Sequence, residues 1–81
     1  DFLHQFGRED VRAVLAELPE LYRLPLVLCY CEGYHVKEIA YLLQVPLGTM
    51  LARLHRGRKL FERTLWDYAE RHGLLKENAR R

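Results

Sequence analysis

At 81 residues the chain can hold one small domain around one core. Its 49% hydrophobic and 30% charged residues exclude a disordered segment, and no apolar run approaches the roughly 18 residues of a membrane span. The net charge of +2 hides a division: residues 1–45 carry 4 Lys/Arg against 7 Asp/Glu, and residues 46–81 carry 9 against 4, so the second half suits a polyanion and the first a different partner.

The start, Asp1-Phe2-Leu3-His4, has neither the basic region nor the apolar stretch of a signal peptide. Lacking an initiator Met, the chain is expected to be cut from a longer one. Residues 1–8 show no strong period and contain Gly7, and read as a linker remnant. The first helix is predicted over Arg8–Leu18, with Val11, Val14, Leu15 and Leu18 inward and Asp10, Arg12 and Glu17 outward. Pro19 ends it, because the residue before a proline avoids the α region. A second helix is predicted from Glu20 to Glu32, with Leu21, Leu24, Leu28 and Cys31 as its inner stripe, thickened by Val27 and Tyr30. Pro25 lacks the N–H that would bond the Leu21 carbonyl, so a mild kink is expected there. Gly33 suits a left-handed helix end.

The third predicted helix spans His35 to Leu43, with Val36, Ile39, Ala40 and Leu43 at helical spacing. Gln44 follows, where Gly or Asn would be more comfortable. Pro46 then opens a fourth helix running from Leu47 to about His72, where Gly73 supplies a stop. At roughly 100° per residue, Leu47, Met50, Leu54, Phe61, Leu65 and Tyr68 share one stripe of that helix. Thr49, Ala52, Arg56, Lys59 and Arg63 share the opposite one, flanked by Arg53 and His55. Ala40 permits a close crossing of the last two helices. The expected fold is therefore all-α: a four-helix domain containing a helix-turn-helix with a long C-terminal recognition helix. Leu74-Leu75 is expected to fold back on Trp66 or Tyr68, and Lys76–Arg81 reads as a charged tail.

The ordered motifs are more specific than a bare helix-turn-helix. Leu18-Pro19-Glu20-Leu21-Tyr22-Arg23-Leu24-Pro25-Leu26-Val27-Leu28 is followed by Glu32-Gly33 and by Lys37-Glu38-Ile39-Ala40. Then come Val45-Pro46-Leu47-Gly48-Thr49-Met50 and Arg53-Leu54-His55-Arg56-Gly57-Arg58-Lys59-Leu60. This set closely resembles region 4, the C-terminal domain of bacterial extracytoplasmic-function sigma factors, over about residues 9–75. The resemblance implies a cytoplasmic domain that docks on double-stranded promoter DNA at the −35 element through the second helix of its helix-turn-helix. It also implies a contact with the flap of the RNA polymerase β subunit, and often an anti-sigma factor that hides these surfaces. Carried over residue by residue, Pro46, Thr49, Leu51, Ala52, His55 and Arg56 fall where that family touches the major groove. Leu51 stands where a basic residue is frequent and Ala52 where Ser is frequent; both replacements remove hydrogen-bonding groups. Region 2, which melts the −10 element in that family, is absent from these residues.

Among the candidates, the Arg56 fork is placed to read guanine O6 and N7 in bidentate fashion. Arg53, Lys59 and Arg63 are candidates for phosphate, which positions without specifying. His55 either touches DNA or caps the basic patch. Tyr34, His35 and Lys37, with the amides opening the third helix, are placed for backbone contacts. Arg58 projects nearer the apolar stripe, and an ion pair with Glu17 or Glu20 is expected. His4, His35, His55 and His72 lack metal-ligand spacing, and Cys29 and Cys31, two apart on a helix, point about 200° from each other and neither bridge nor chelate. Both read as reduced thiols, with Cys31 on the inner stripe. No metal, cofactor or catalytic constellation is expected. Two alternatives remain beside promoter recognition. One is a protein-interaction module for an anti-sigma factor or polymerase subunit with negligible DNA affinity of its own. The other is a response-regulator output domain, against which the Leu18-Pro19 and Leu24-Pro25 pattern argues.

Overall fold

The computed structural model describes residues 6–74, and among these it contains four helical elements and no strand. Residues 1–5 of the linker remnant, Leu75 and the tail 76–81 lie outside the described residues.

α1 is Arg8–Glu17. It opens on Gly7, whose amide donates to the Asp10 carboxylate (3.0 Å), so an acid three residues on satisfies a helix-start donor. Val14, Leu15 and Leu18 are buried and Val11 packs on the core, in the predicted phase. The helix stops at Glu17 because Leu18 precedes Pro19 and is extended (φ −81°, ψ 151°). Arg23 reaches back with Nη1 to the carbonyls of Ala16 (3.4 Å) and Leu18 (3.2 Å), closing the α1 end. Asp10 is not simply outward: its Oδ1 accepts from the Tyr68 hydroxyl at 2.7 Å.

α2 is Glu20–Leu26 and passes without a break into a π-helical segment, Val27–Cys31. Here the structure corrects the expected phase. Leu21 is 52% exposed, Leu24 40% and Tyr30 59%, and Cys31 is exposed as well. The buried residues are Pro25 and Leu26, with Val27, Leu28 and Cys29 partly buried against the core. The cause lies on another helix. Gly57 is buried, and a Cβ placed on it would sit 3.3 Å from Tyr22 Cβ and 3.4 Å from Leu26 Cδ1. The face of α2 that meets this glycine is therefore the Tyr22–Leu26 face. The compact Pro25 ring is buried beside it, and α2 continues through Pro25 in helical form. The backbone then widens: the Glu32 amide donates to the Val27 carbonyl, five residues back, at 3.1 Å. Gly33 ends the segment in the left-handed region (φ 78°).

The same correction moves the cysteines. Cys29 is half-buried against the core and Cys31 is exposed; both are free. Cys29→Ser is accordingly expected to lower the melting temperature more than Cys31→Ala, which should lie within about 0.5 kcal/mol of the parent, as surface substitutions do. The reverse order in thermal melts would restore the simple helical phase.

α3 is Val36–Leu43, with Ile39 and Ala40 buried and Val36 and Leu43 packed against the core, as predicted. It ends at Gln44, which adopts the left-handed conformation (φ 56°, ψ 48°) at a cost of about 1 kcal/mol for a non-glycine residue. The Val45 amide returns to the Ala40 carbonyl (3.0 Å), so the turn is tied down despite that strain.

α4 is Leu47–Arg71, 25 residues opened by Pro46. At 1.5 Å per residue it is roughly 37 Å long, against a longest molecular extent of 44 Å. It packs on α1, α2 and α3. Met50 and Leu54 join Ile39, Ala40, Leu26, Leu15 and Leu18 in one core cluster. Farther along, Leu65 is fully buried and Phe61 partly buried, as the stripe predicts, and Ala69, outside the predicted stripe, is fully buried too. Leu47 departs from the stripe and is 39% exposed. Helical Cβ atoms tilt toward the N-terminus, so a first-turn side chain projects past the helix end. The predicted Arg58 ion pair is not formed either. Glu17 is paired instead with Arg71 at 3.0 Å, because it is the last turn of α4 that lies beside the end of α1. After Gly73 (φ 64°) the Leu74 amide donates to the Ala69 carbonyl at 2.8 Å.

The α1–α4 contact titrates. The Gly7 amide, then the Tyr68 hydroxyl and more weakly His72, hold the Asp10 carboxyl below its ordinary value of 3.8. Its stabilising contribution is thus present above about pH 4 and is lost as pH falls through the depressed value. The bond to Asp10 raises Tyr68 above its ordinary 10.0, so that hydroxyl contributes below pH 10 and fails in alkali. Melts between pH 2 and 6 are expected to fall more steeply for the parent than for Asp10→Asn; parallel curves would remove this link.

Candidate nucleic-acid interface

The turn Gln44-Val45-Pro46 and the seam of Ile39 and Ala40 against Met50 and Leu54 hold α4 across α3. With one side of α4 committed to that seam, its other side faces solvent. Thr49, Leu51, His55, Arg56, Lys59 and Arg63 are exposed, while Ala52 and Arg53 are half-buried. Pro46 is exposed at the helix start.

Spacing along the axis separates these residues by reach. Thr49 to Arg56 covers roughly 10 Å of helix, comparable with the roughly 12 Å width of the major groove. Arg63 lies about 10 Å farther on, beyond the base edges such a groove would present. Lys59 falls between.

The charge on this face is one-sided. α4 carries no carboxylate before Glu62. Among the described residues, the side chains of Arg53, His55, Arg56, Arg58, Lys59 and Arg63 make no hydrogen bond or ion pair, and the paired arginine of α4 is Arg71. From Arg53 to Lys59 the row of cationic side chains has no internal partner and contains no acid, which leaves a positive potential directed at solvent; Glu62 stands beside Arg63 at the far end. Arg58, expected in an ion pair, is exposed and joins this row.

The start of α3 forms a second, smaller group. Tyr34 and Lys37 line a shallow depression with Glu38, Tyr41 and Leu42; His35 stands outside it as the helix cap. The Glu38 carboxylate accepts from the His35 amide at 2.8 Å, so of the amides at this helix start that one is already committed. Tyr41, one turn after Lys37 and 83% exposed, is a polar-tipped neighbour that periodicity alone did not single out. An aromatic at a non-core position of an amphipathic helix was the available sign.

The arrangement can hold an anionic rod across α4 and anchor it at α3. No group of three or more His, Cys, Asp or Glu among the described residues could hold a metal ion. No helix among them is long and apolar enough to cross a membrane.

Comparison with known proteins accords with this geometry. The family described as "Sigma-70, region 4" matches residues 8–61, which takes in α1 to α3 and the basic part of α4. The chain belongs to that family. Its region 4 domain is 43% identical over 63 residues to the ECF RNA polymerase sigma factor SigE of Mycolicibacterium smegmatis, covering 78% of this chain and 23% of the relative. It is 35% identical over 57 residues to the ECF RNA polymerase sigma factor SigW of Bacillus subtilis, covering 70% and 30%. It is also 34% identical over 55 residues to the RNA polymerase sigma-H factor of Pseudomonas aeruginosa, covering 68% and 28%. The chain thus spans between 23% and 30% of the length of these relatives. It is region 4 of an extracytoplasmic-function sigma factor.

Proposed function

We propose that this region 4 domain recognises the −35 element of promoter DNA, as part of a sigma factor that directs RNA polymerase to initiate transcription. The observation that carries the reading is the unpaired cationic face of α4, free of acids from Leu47 to Phe61 and turned away from the Met50–Leu54 seam. α4 enters the major groove with Thr49, Leu51, Ala52, His55 and Arg56 over base edges and Pro46 at the groove wall. Arg53, Lys59 and Arg63 take phosphates, as do Tyr34, His35 and Lys37 from α3 on the neighbouring backbone. The protein performs no catalysis. Residues 9–75 form the functional unit, with α1 beginning one residue earlier at Arg8.

A second surface supports protein partners. Leu21, Leu24 and Tyr30 form an outward apolar face on α2 and the π-helical segment that the fold leaves uncovered. Contacts with the β-subunit flap and with an anti-sigma factor are assigned there. On the alternative reading that face is the main function and DNA affinity is negligible. Titration of the chain with −35-like and scrambled duplexes at two salt concentrations separates the two. Promoter recognition requires tighter binding to the −35-like duplex at both salts. No measurable binding to either duplex, or equal and strongly salt-dependent binding to both, leaves the protein-interaction reading. A footprint with polymerase and the full-length factor then locates the domain on the promoter.

A further inference from the structure

Leu51 is 51% exposed and lies outside the core cluster, on the flank of α4 between the buried stripe and the basic one. Leu47, one turn earlier on the same flank, is 39% exposed, and Ala52 lies beside it, half-buried. From Leu47 to Ala52 the only side-chain hydrogen-bonding group is the Thr49 hydroxyl. From Arg53 to Lys59 the exposed and half-buried positions carry Arg53, His55, Arg56, Arg58 and Lys59. The helix is thus divided along its length, with methyl groups first and cations after.

That order has a consequence for base reading. In helix-turn-helix docking it is the N-terminal residues of the second helix that meet base edges. The major groove shows one apolar group among its donors and acceptors, the C5-methyl of thymine. Against an isobutyl group, guanine and cytosine edges lose water without gaining a partner, which is costly, while a thymine methyl gains apolar contact. We propose that Leu51, with Ala52 beside it, reads a thymine methyl, so that the preferred duplex carries thymine beneath the first turns of α4. Leu51 is then a specificity-determining residue that acts by burial, where Arg56 acts by hydrogen bonds. The inference rests on the promoter-recognition reading above.

The test replaces one methyl at a time. Duplexes with a randomised core are selected for binding to the 81-residue chain. Each thymine of the preferred duplex is then exchanged singly for deoxyuridine, which removes only the C5-methyl. One such exchange is expected to weaken binding about fourfold, the worth of burying one methyl group. The Leu51→Ala variant, whose helical content should match the parent because the residue is exposed, is expected to bind the thymine and uracil duplexes alike. Specific binding with no deoxyuridine effect at any position overturns the proposal, as does an effect that survives unchanged in Leu51→Ala. If the selected duplex binds no better than a scrambled one, the promoter-recognition reading itself fails and this proposal falls with it.

Discussion

Leu54→Ala will cost the fold about 2–5 kcal/mol, the range for truncating a buried leucine. Leu54 is 4% exposed and belongs to the cluster that joins α4 to Ile39 and Ala40 of α3 and to Leu26 of α2. A domain of this size has a total stability on the order of 4–12 kcal/mol. The loss is therefore a large fraction of the whole, and should lower the melting temperature by roughly 8–40 °C. Leu51→Ala, three residues earlier and exposed, provides the control and should stay within about 0.5 kcal/mol of the parent. Circular-dichroism melts of the three proteins suffice. Coincident curves for Leu54→Ala and parent would mean that α4 does not present this side to α3, and the outward assignment of Arg56 and Lys59 would go with it.

Arg56 and Lys59 are expected to separate in DNA binding, although each places one positive charge on the exposed side of α4. A featureless basic patch would treat their loss alike. Arg56 lies within the stretch of helix that a groove can accommodate, and its planar fork matches guanine O6 and N7. Arg56→Ala should lose roughly 1–3 kcal/mol on the preferred duplex and relax discrimination at one base pair. Lys59 lies one turn farther, toward the groove rim. Its replacement by alanine should weaken binding to every duplex about equally and lower the slope of log K against log salt by about 1. Binding isotherms at several salt concentrations, on preferred and single-mismatch duplexes, read both quantities. Equal, sequence-independent losses would reduce α4 to an electrostatic strip.

The features legible in the sequence share one property: their causes are local. Pro19 ends α1 and Pro46 opens α4 through steric limits on one or two residues. Gly33 closes the π-helical segment through its freedom at positive φ, and the awkwardness of Gln44 was visible because that position calls for the same conformation. The α3–α4 seam was also readable, since Val36, Ile39, Ala40 and Leu43 and then Met50 and Leu54 repeat at the helical period. The solvent face of α4 follows from that seam by elimination, and so the basic row was readable too.

The inner face of α2 was decided by tertiary structure. The predicted stripe of Leu21, Leu24, Leu28 and Cys31, of which only Leu28 packs against the core, is as apolar as the face that is buried, and hydrophobicity along a single helix does not choose between them. The choice belongs to Gly57, thirty-odd residues away, where the lack of a side chain lets Tyr22 and Leu26 approach to within 3.4 Å of the missing Cβ position. The π-helical segment then changes the rotation per residue, so a period of 3.6 no longer projects Tyr30 and Cys31 correctly. Charge pairing was decided in the same way. Glu17 meets Arg71 rather than Arg58 because the packing of α1 on α4 sets which turn lies opposite it. Local chain chemistry determined where the helices begin and end; which faces meet depended on a close approach between residues distant in sequence, and no periodicity within one helix encodes that.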